Sequence, residues 1–367
     1  MRPPRVVLPI AIVVVAACAV SAAPALGATW TNVPSQAVGS GSALDDADAL
    51  SATSAWAVGG NGDGIVERYN GSAWSAVATP TLLSGPTSWA MLHGVDAVSA
   101  TSALAVGEAN GAAAALRWNG SSWSKSPVAT PPGSASALSA IEAFSTTDAW
   151  AVGRIVPTFN GLTLIEHWQG SSWTQVASPS PGTRDNTLTG VAGSAPTDVW
   201  AVGYSRDLPY GNRARHSLIE HYNGSAWSRV PSPDVDTQTV LNGVVALSST
   251  NAWAVGYASN QGAVVMHFDG HSWTATTLPN LSSLTAIAAL SASDIWATGF
   301  DPAGNVVLAT WRGSGWTITP APAQSGPGSP SLTALTATTP STVLGVGSVW
   351  DGTNGTGRPM AIRTANG

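Results

Sequence analysis

Carboxylates recur at a fixed spacing in the first half of this chain. Asp48 and Asp96 stand 48 residues apart, Glu142 follows after a further 46, and Asp45 and Asp46 sit beside the first. If equivalent positions meet in the fold, their oxygens could bridge a hard cation such as calcium, in preference to a transition metal. Paired carboxylates are also the acid and the nucleophile of glycoside hydrolysis, although none here is marked for either role. The plainer alternative is a solvated channel lining. His167, His221 and His267 recur in the same way, with Arg68, Arg117 and Arg363 at the matching place elsewhere. Thiol chemistry is excluded, because Cys18 is the only cysteine and lies in an apolar leader. Ser-His-Asp arrangements, phosphate-binding glycine loops and zinc motifs are absent.

What must position these groups is a repeat. The residue before Ala-Val-Gly or its equivalent is Trp56, Leu104, Trp150, Trp200, Trp253, Trp296 and Leu344, at intervals of 48, 46, 50, 53, 43 and 48 residues. A period of about 48 belongs to propellers or solenoids. A second anchor, Gly followed three residues later by Trp, is complete in six copies, from Gly71 and Trp74 to Gly313 and Trp316. The seventh is split between the last residues, Asn366-Gly367, and an orphan Trp30 near the start. A solenoid has no need of its ends to complete one unit, whereas a closed ring does. The expected fold is therefore all-β: a seven-bladed β-propeller of four-stranded blades over residues 28–367. The N-terminal strand around Trp30 completes blade 7.

Each unit offers four strands. Innermost strand a reads Leu-x-Gly/Ala-Val/Ile, as in Leu188-Thr189-Gly190-Val191, with small residues for close approach at the axis. A short turn, with Asp148, Asp198, Asn251 or Asp294 at one position suited to capping, leads to strand b, Trp-Ala-Val-Gly. Strand c, a tight Asn-Gly turn and strand d follow, and a Pro such as Pro80, Pro179, Pro231, Pro279 or Pro320 closes the outer edge. On this plan the three histidines fall on strand c, roughly 15 Å from the axis and more than about 10 Å apart, which rules out a shared metal. Asp48, Asp96 and Glu142 fall on strand a of adjacent blades, about 6 to 8 Å apart by the same spacing, and are the candidate metal ligands.

Ala55-Trp56-Ala57-Val58-Gly59-Gly60, then Glu67-Arg68-Tyr69-Asn70, Trp74 and Pro80, resembles a kelch repeat, in particular those of bacterial secreted kelch-like propellers. Most copies keep one Gly of the doublet, and the c–d turn is shorter than is usual in kelch repeats. The resemblance implies a binding platform. It also touches the copper enzyme galactose oxidase, whose Tyr-Cys cofactor cannot form in a propeller without cysteine.

The leader itself fits a secretory signal over residues 1–27: Arg2 and Arg5, an apolar run from Val6 to Val20, then Ala25-Leu26-Gly27. Pro9 and the Ala and Ser residues argue against a membrane span. Val15-Ala16-Ala17-Cys18 also resembles a lipoprotein cleavage box, which would leave Cys18 lipid-anchored at the cell surface. Only 9% of residues are charged and 44% are apolar, with 17 Trp, as blades buried on both faces require. Loss of Arg2 and Arg5 takes the formal charge from −6 to −8, which disfavours nucleic acid and anionic membranes as partners.

The a–b and c–d turns are short and uniform, whereas the b–c and d–a connections vary. Alternating strand directions bring these variable connections to one face, the usual place for recognition on a rigid scaffold. Trp89 and Trp350, the two tryptophans with no recurring place in the repeat, fall in these loops, and the loop from Tyr204 to Ser217 adds Arg206, Tyr210 and Arg213. The function expected is a secreted, monomeric, non-catalytic module that binds an extracellular protein or glycan at these residues. No cofactor is expected beyond a structural Ca²⁺ at the acidic ring. The competing reading is a carbohydrate-active enzyme, a glycoside hydrolase or lyase using that ring.

Overall fold

A computed structural model describes residues 29–36, 41–82, 89–129, 133–157, 159–207, 214–339, 342–353 and 356–364. The leader with Cys18, the terminal pair Asn366-Gly367, Tyr210 and Arg213 lie outside the described residues. Every regular element among the described residues is a strand, and the strands form seven four-stranded antiparallel sheets. Blade 4 shows the plan: a is Asp185–Ala195, b is Asp198–Arg206, c is His216–Tyr222 and d is Trp227–Arg229. Blade 7 is assembled from both chain ends. Trp30–Asn32 is the outer strand on Thr356–Thr364, with Trp30 opposite Thr364 and Asn32 opposite Ile362. The closing segment then reaches blade 1, where Pro34 O accepts from Trp74 N–H at 2.9 Å.

Period-two alternation lets each blade feed two seams. Trp200 and Val202 pack with Leu241, Val244 and Met266 of blade 5, while Val199 and Ala201 pack with Trp150 and Val152 of blade 3. Strand a carries a bulge in every blade, for example between Leu188 and Gly190. Opposite it, a Cβ on Gly203 would lie 2.0 Å from the carbonyl oxygen of Thr187, which makes the Gly of Trp-Ala-Val-Gly a steric requirement. The bulge turns one residue per blade into the central channel: Asp45, His93, Ser139, Thr189, Asn242, Thr285 and Thr333.

Three details differ from expectation. Strand pairing extends into the presumed Tyr204–Ser217 loop, so Arg206 ends strand b and His216 begins strand c. Trp350 is not a loop residue. Strand b of blade 7 continues to Asp351 in register with Thr356, and alternation leaves Val349 buried and Trp350 outward. The outer strands also differ in length. They span three residues in blades 1 to 4 but run from Trp273 to Leu278 in blade 5 and from Trp316 to Pro320 in blade 6.

Candidate functional site

The structure brings the predicted carboxylates to the channel and gives each a backbone partner in the next blade. Asp46 accepts from Val95 N–H at 2.9 Å, Asp48 from Ala97 N–H at 3.0 Å and Asp96 from Ala143 N–H at 2.7 Å. Glu142 accepts from the N–H of Gly193. The remaining seams are joined by uncharged groups. Thr189 donates to Leu241 O and Asn242 to Leu284 O, both at 2.7 Å, and Thr285 donates to Leu332 O at 2.8 Å. Thr333 donates to Leu44 O at 2.7 Å, and Thr336 accepts from Ala49 N–H. The inner ring thus staples all seven seams. Among the described residues no three His, Cys, Asp or Glu side chains converge as a metal site.

Burial dominates the charge state of this ring. It pushes Asp46 up to about 7 against the bonds from Val95 and Ala47. Burial together with Asp48 raises Glu142 to about 8, and Asp96 is raised well above the carboxylate range by burial, Asp48 and Glu142. At the variable mouth of the channel His93 lies between Asp45, 2.9 Å from Nδ1, and Glu108, 3.5 Å from Nε2. Burial would lower its pKa, but the two carboxylates more than reverse that and raise it. His93 thus clamps two carboxylates across the seam between blades 1 and 2, and they favour its protonated form. The repeat carries this signal in its sequence: His93 follows the strand-a Leu92, and Glu108 follows Val106-Gly107.

The strand-c histidines are separate, as their spacing required. His167 stacks on Trp150 at 4.1 Å and meets Asp148 at 2.8 Å; His221 stacks on Trp200 at 4.2 Å and meets Asp198 at 2.6 Å. His267 stacks on Trp253 and meets Asn251 at 3.1 Å. The turn Asp and Asn residues thus serve histidines one strand away. Arg117 and Arg363 bridge seams, over Trp168 and onto Tyr69 Oη, while Arg68 covers its own blade's Trp56.

The variable face carries the exposed apolar groups. Trp89, just before strand a of blade 2, is 41% exposed and Trp350 is 51% exposed. Phe159 and Leu162 of blade 3 project on the same face. Phe159 could have been found in the sequence as an aromatic in a b–c loop. Arg206 is engaged: Asp185 sits between it, at 3.8 Å, and Arg154, at 3.0 Å. Arg215 lies over the Tyr204 ring and donates to Tyr257 Oη at 3.1 Å.

No protein-family model matches the sequence, and neither does any curated protein. Solved structures are similar in fold. The WD40 β-propeller domain of Doa1 is 11% identical with a TM-score of 0.59, over 92% of this chain and 98% of that one. YCF48 bound to a D1 peptide is 15% identical with a TM-score of 0.58, over 93% and 96%. YCF48 from Cyanidioschyzon merolae is 15% identical with a TM-score of 0.57, over 92% and 99%. These likenesses show the propeller fold alone, and the narrower resemblance to kelch repeats and galactose oxidase has no counterpart among them.

Proposed function

We propose that this chain is a secreted, non-catalytic propeller that holds an extracellular protein or glycan on the face formed by its b–c and d–a connections. One observation carries the reading. Of the five exposed large hydrophobic side chains among the described residues, Trp89, Phe159, Leu162 and Trp350 lie on that face, and Ile318 lies on the outer strand of blade 6. An exposed indole offers a flat apolar surface with one donor, suited to a sugar ring or a protein anchor. A similar propeller, YCF48, was solved with a bound peptide, so the architecture accommodates this use. The leader supports export, by cleavage near Ala28 or by lipidation at Cys18. The hydrolase or lyase alternative is weakened because the channel carboxylates are bonded to backbone N–H groups.

A glycan array and a protein pull-down with the mature chain should each be run beside Trp89→Ala and Trp350→Ala. Truncating an anchor of this kind weakens binding roughly 30-fold or more. Asn119→Ala and Asn223→Ala, in short turns of the opposite face, should leave affinity unchanged. Protein binding that survives the double Trp change would refute this placement.

A further inference from the structure

A second cavity, of about 400 Å³, opens between blades 5 and 6 on the opposite, short-turn side. Its walls are Trp253, Trp311 and Trp316, with His267, Thr274 and Thr276 among its lining, and no Asp, Glu, Lys or Arg lines it. The other seams show why it is open. Trp74, Trp123, Trp173, Trp227 and Trp273, the outer-strand tryptophans of blades 1 to 5, are 3 to 6% exposed. Trp316 is half-buried. It follows the long outer strand of blade 5, which stays paired with its own blade through Leu278 opposite Ala263.

Ring distances agree. Trp150 and Trp200 meet the next blade's outer Trp at 5.4 and 5.2 Å, whereas Trp253 and Trp316 are 6.5 Å apart. The plug differs as well. Val77, Val176 and Val230 pack into their seams at the position where blade 5 has Thr276, which is exposed. Seam 2–3 carries a hydroxyl there too, and Ser126 Oγ accepts from Trp173 Nε1 at 3.1 Å. The matching pair in seam 5–6, Thr276 Oγ1 and Trp316 Nε1, makes no such bond, and neither atom has a partner among the described residues.

We propose that this cavity binds one neutral pyranose residue. Three indoles supply apolar walls for the ring's C–H face, and a sugar hydroxyl bridges the separated Thr276 hydroxyl and Trp316 N–H. The uncharged lining excludes uronic and sialic acids, whose carboxylates would be desolvated without a partner. The site is independent of Trp89 and Trp350, so it can stand or fall separately from the proposed function.

The test is isothermal titration of neutral methyl hexopyranosides, with glucuronic acid as the charged comparison, against the mature chain. At least one neutral glycoside should bind in the millimolar range or tighter, and glucuronic acid should not. Thr276→Val copies the residue of other seams, so it should leave the melting temperature unchanged while weakening the sugar at least about fivefold, the value of one hydrogen bond. Adding Trp316→Phe, which keeps an aromatic wall but removes the N–H, should abolish measurable binding, whereas Trp89→Ala should not affect it. No heat from any neutral glycoside up to about 50 mM would overturn the proposal. Undiminished binding in the folded double variant would overturn it equally.

Discussion

Replacing Glu220 should make this protein more stable, and only at neutral and alkaline pH. Glu220 lies on strand c of blade 4 opposite Ala201, with no solvent exposure and no partner on either carboxyl oxygen. Burial pushes its pKa from 4.5 to about 8. Glu166, equally bare at the same register of blade 3, reaches about 7 by burial alone. Glu67 of blade 1 also reaches about 7 through burial, against a 2.7 Å bond from Ser35. Below pH 4.5 folded and unfolded chains both carry the Glu220 proton, and its contribution is intact. As pH rises the unfolded chain releases that proton first, so stability falls until the folded group ionises near pH 8 and is flat beyond. At about 1.4 kcal/mol per pH unit, Glu220 alone removes about 3 kcal/mol by pH 7 and about 4 by pH 8. Glu220→Met is the informative change, since Met266 occupies this register in blade 5 and leaves no buried polar group. Urea unfolding followed by tryptophan fluorescence should show the variant near parity with the parent at about pH 4.5 and well ahead at about pH 8. An equal shift at both pH values, or a loss at the higher one, would refute the reasoning.

Closure can be tested by deleting residues 28–36, which removes the outer strand of blade 7 and Ser35 from Glu67. The melting temperature should fall by several degrees or more, and an unchanged value in calorimetry would mean the ring does not depend on that strand. At the inner ring, Asp96→Asn keeps an acceptor for Ala143 N–H without a titrating group, so it should raise stability increasingly as pH climbs above the ordinary carboxylate range, whereas Asp96→Ala should not. Exchanging calcium for a chelator should leave the melting temperature of the parent unmoved, because these carboxylates already serve backbone donors; a calcium-dependent rise would contradict this.

The ring, its seven blades and its closure were legible because every blade repeats one pattern and the missing strand had one place to go. The channel position of Asp48, Asp96 and Glu142 followed from the same periodicity. Their role did not, because their partners are backbone N–H groups of the next blade, fixed by a register between blades that carries no side-chain signature. The strand position of Trp350 is written less plainly, because the repeated Trp-Ala-Val-Gly stops short of it and only the alternation of Ser348-Val349-Trp350-Asp351 carries strand b onward. The open seam was half legible. Thr276 in place of Val could be read from an alignment of the repeats, but the long strand behind it depends on tertiary packing. Leu278 packs into the seam, and a tight turn, Leu281 N–H to Leu278 O at 2.9 Å, carries the buried Leu281 back onto Ala263 N–H.

The ring is uneven in a way that bears on its use. All seven carboxyls held above the ordinary range, Asp46, Asp48, Glu67, Asp96, Glu142, Glu166 and Glu220, belong to blades 1 to 4. The seams from blade 4 onward are stapled by Thr and Asn groups that do not titrate. Each raised carboxyl contributes stability that fades as pH climbs above the ordinary carboxylate range. Rising pH should therefore draw down stability through groups that all lie in blades 1 to 4.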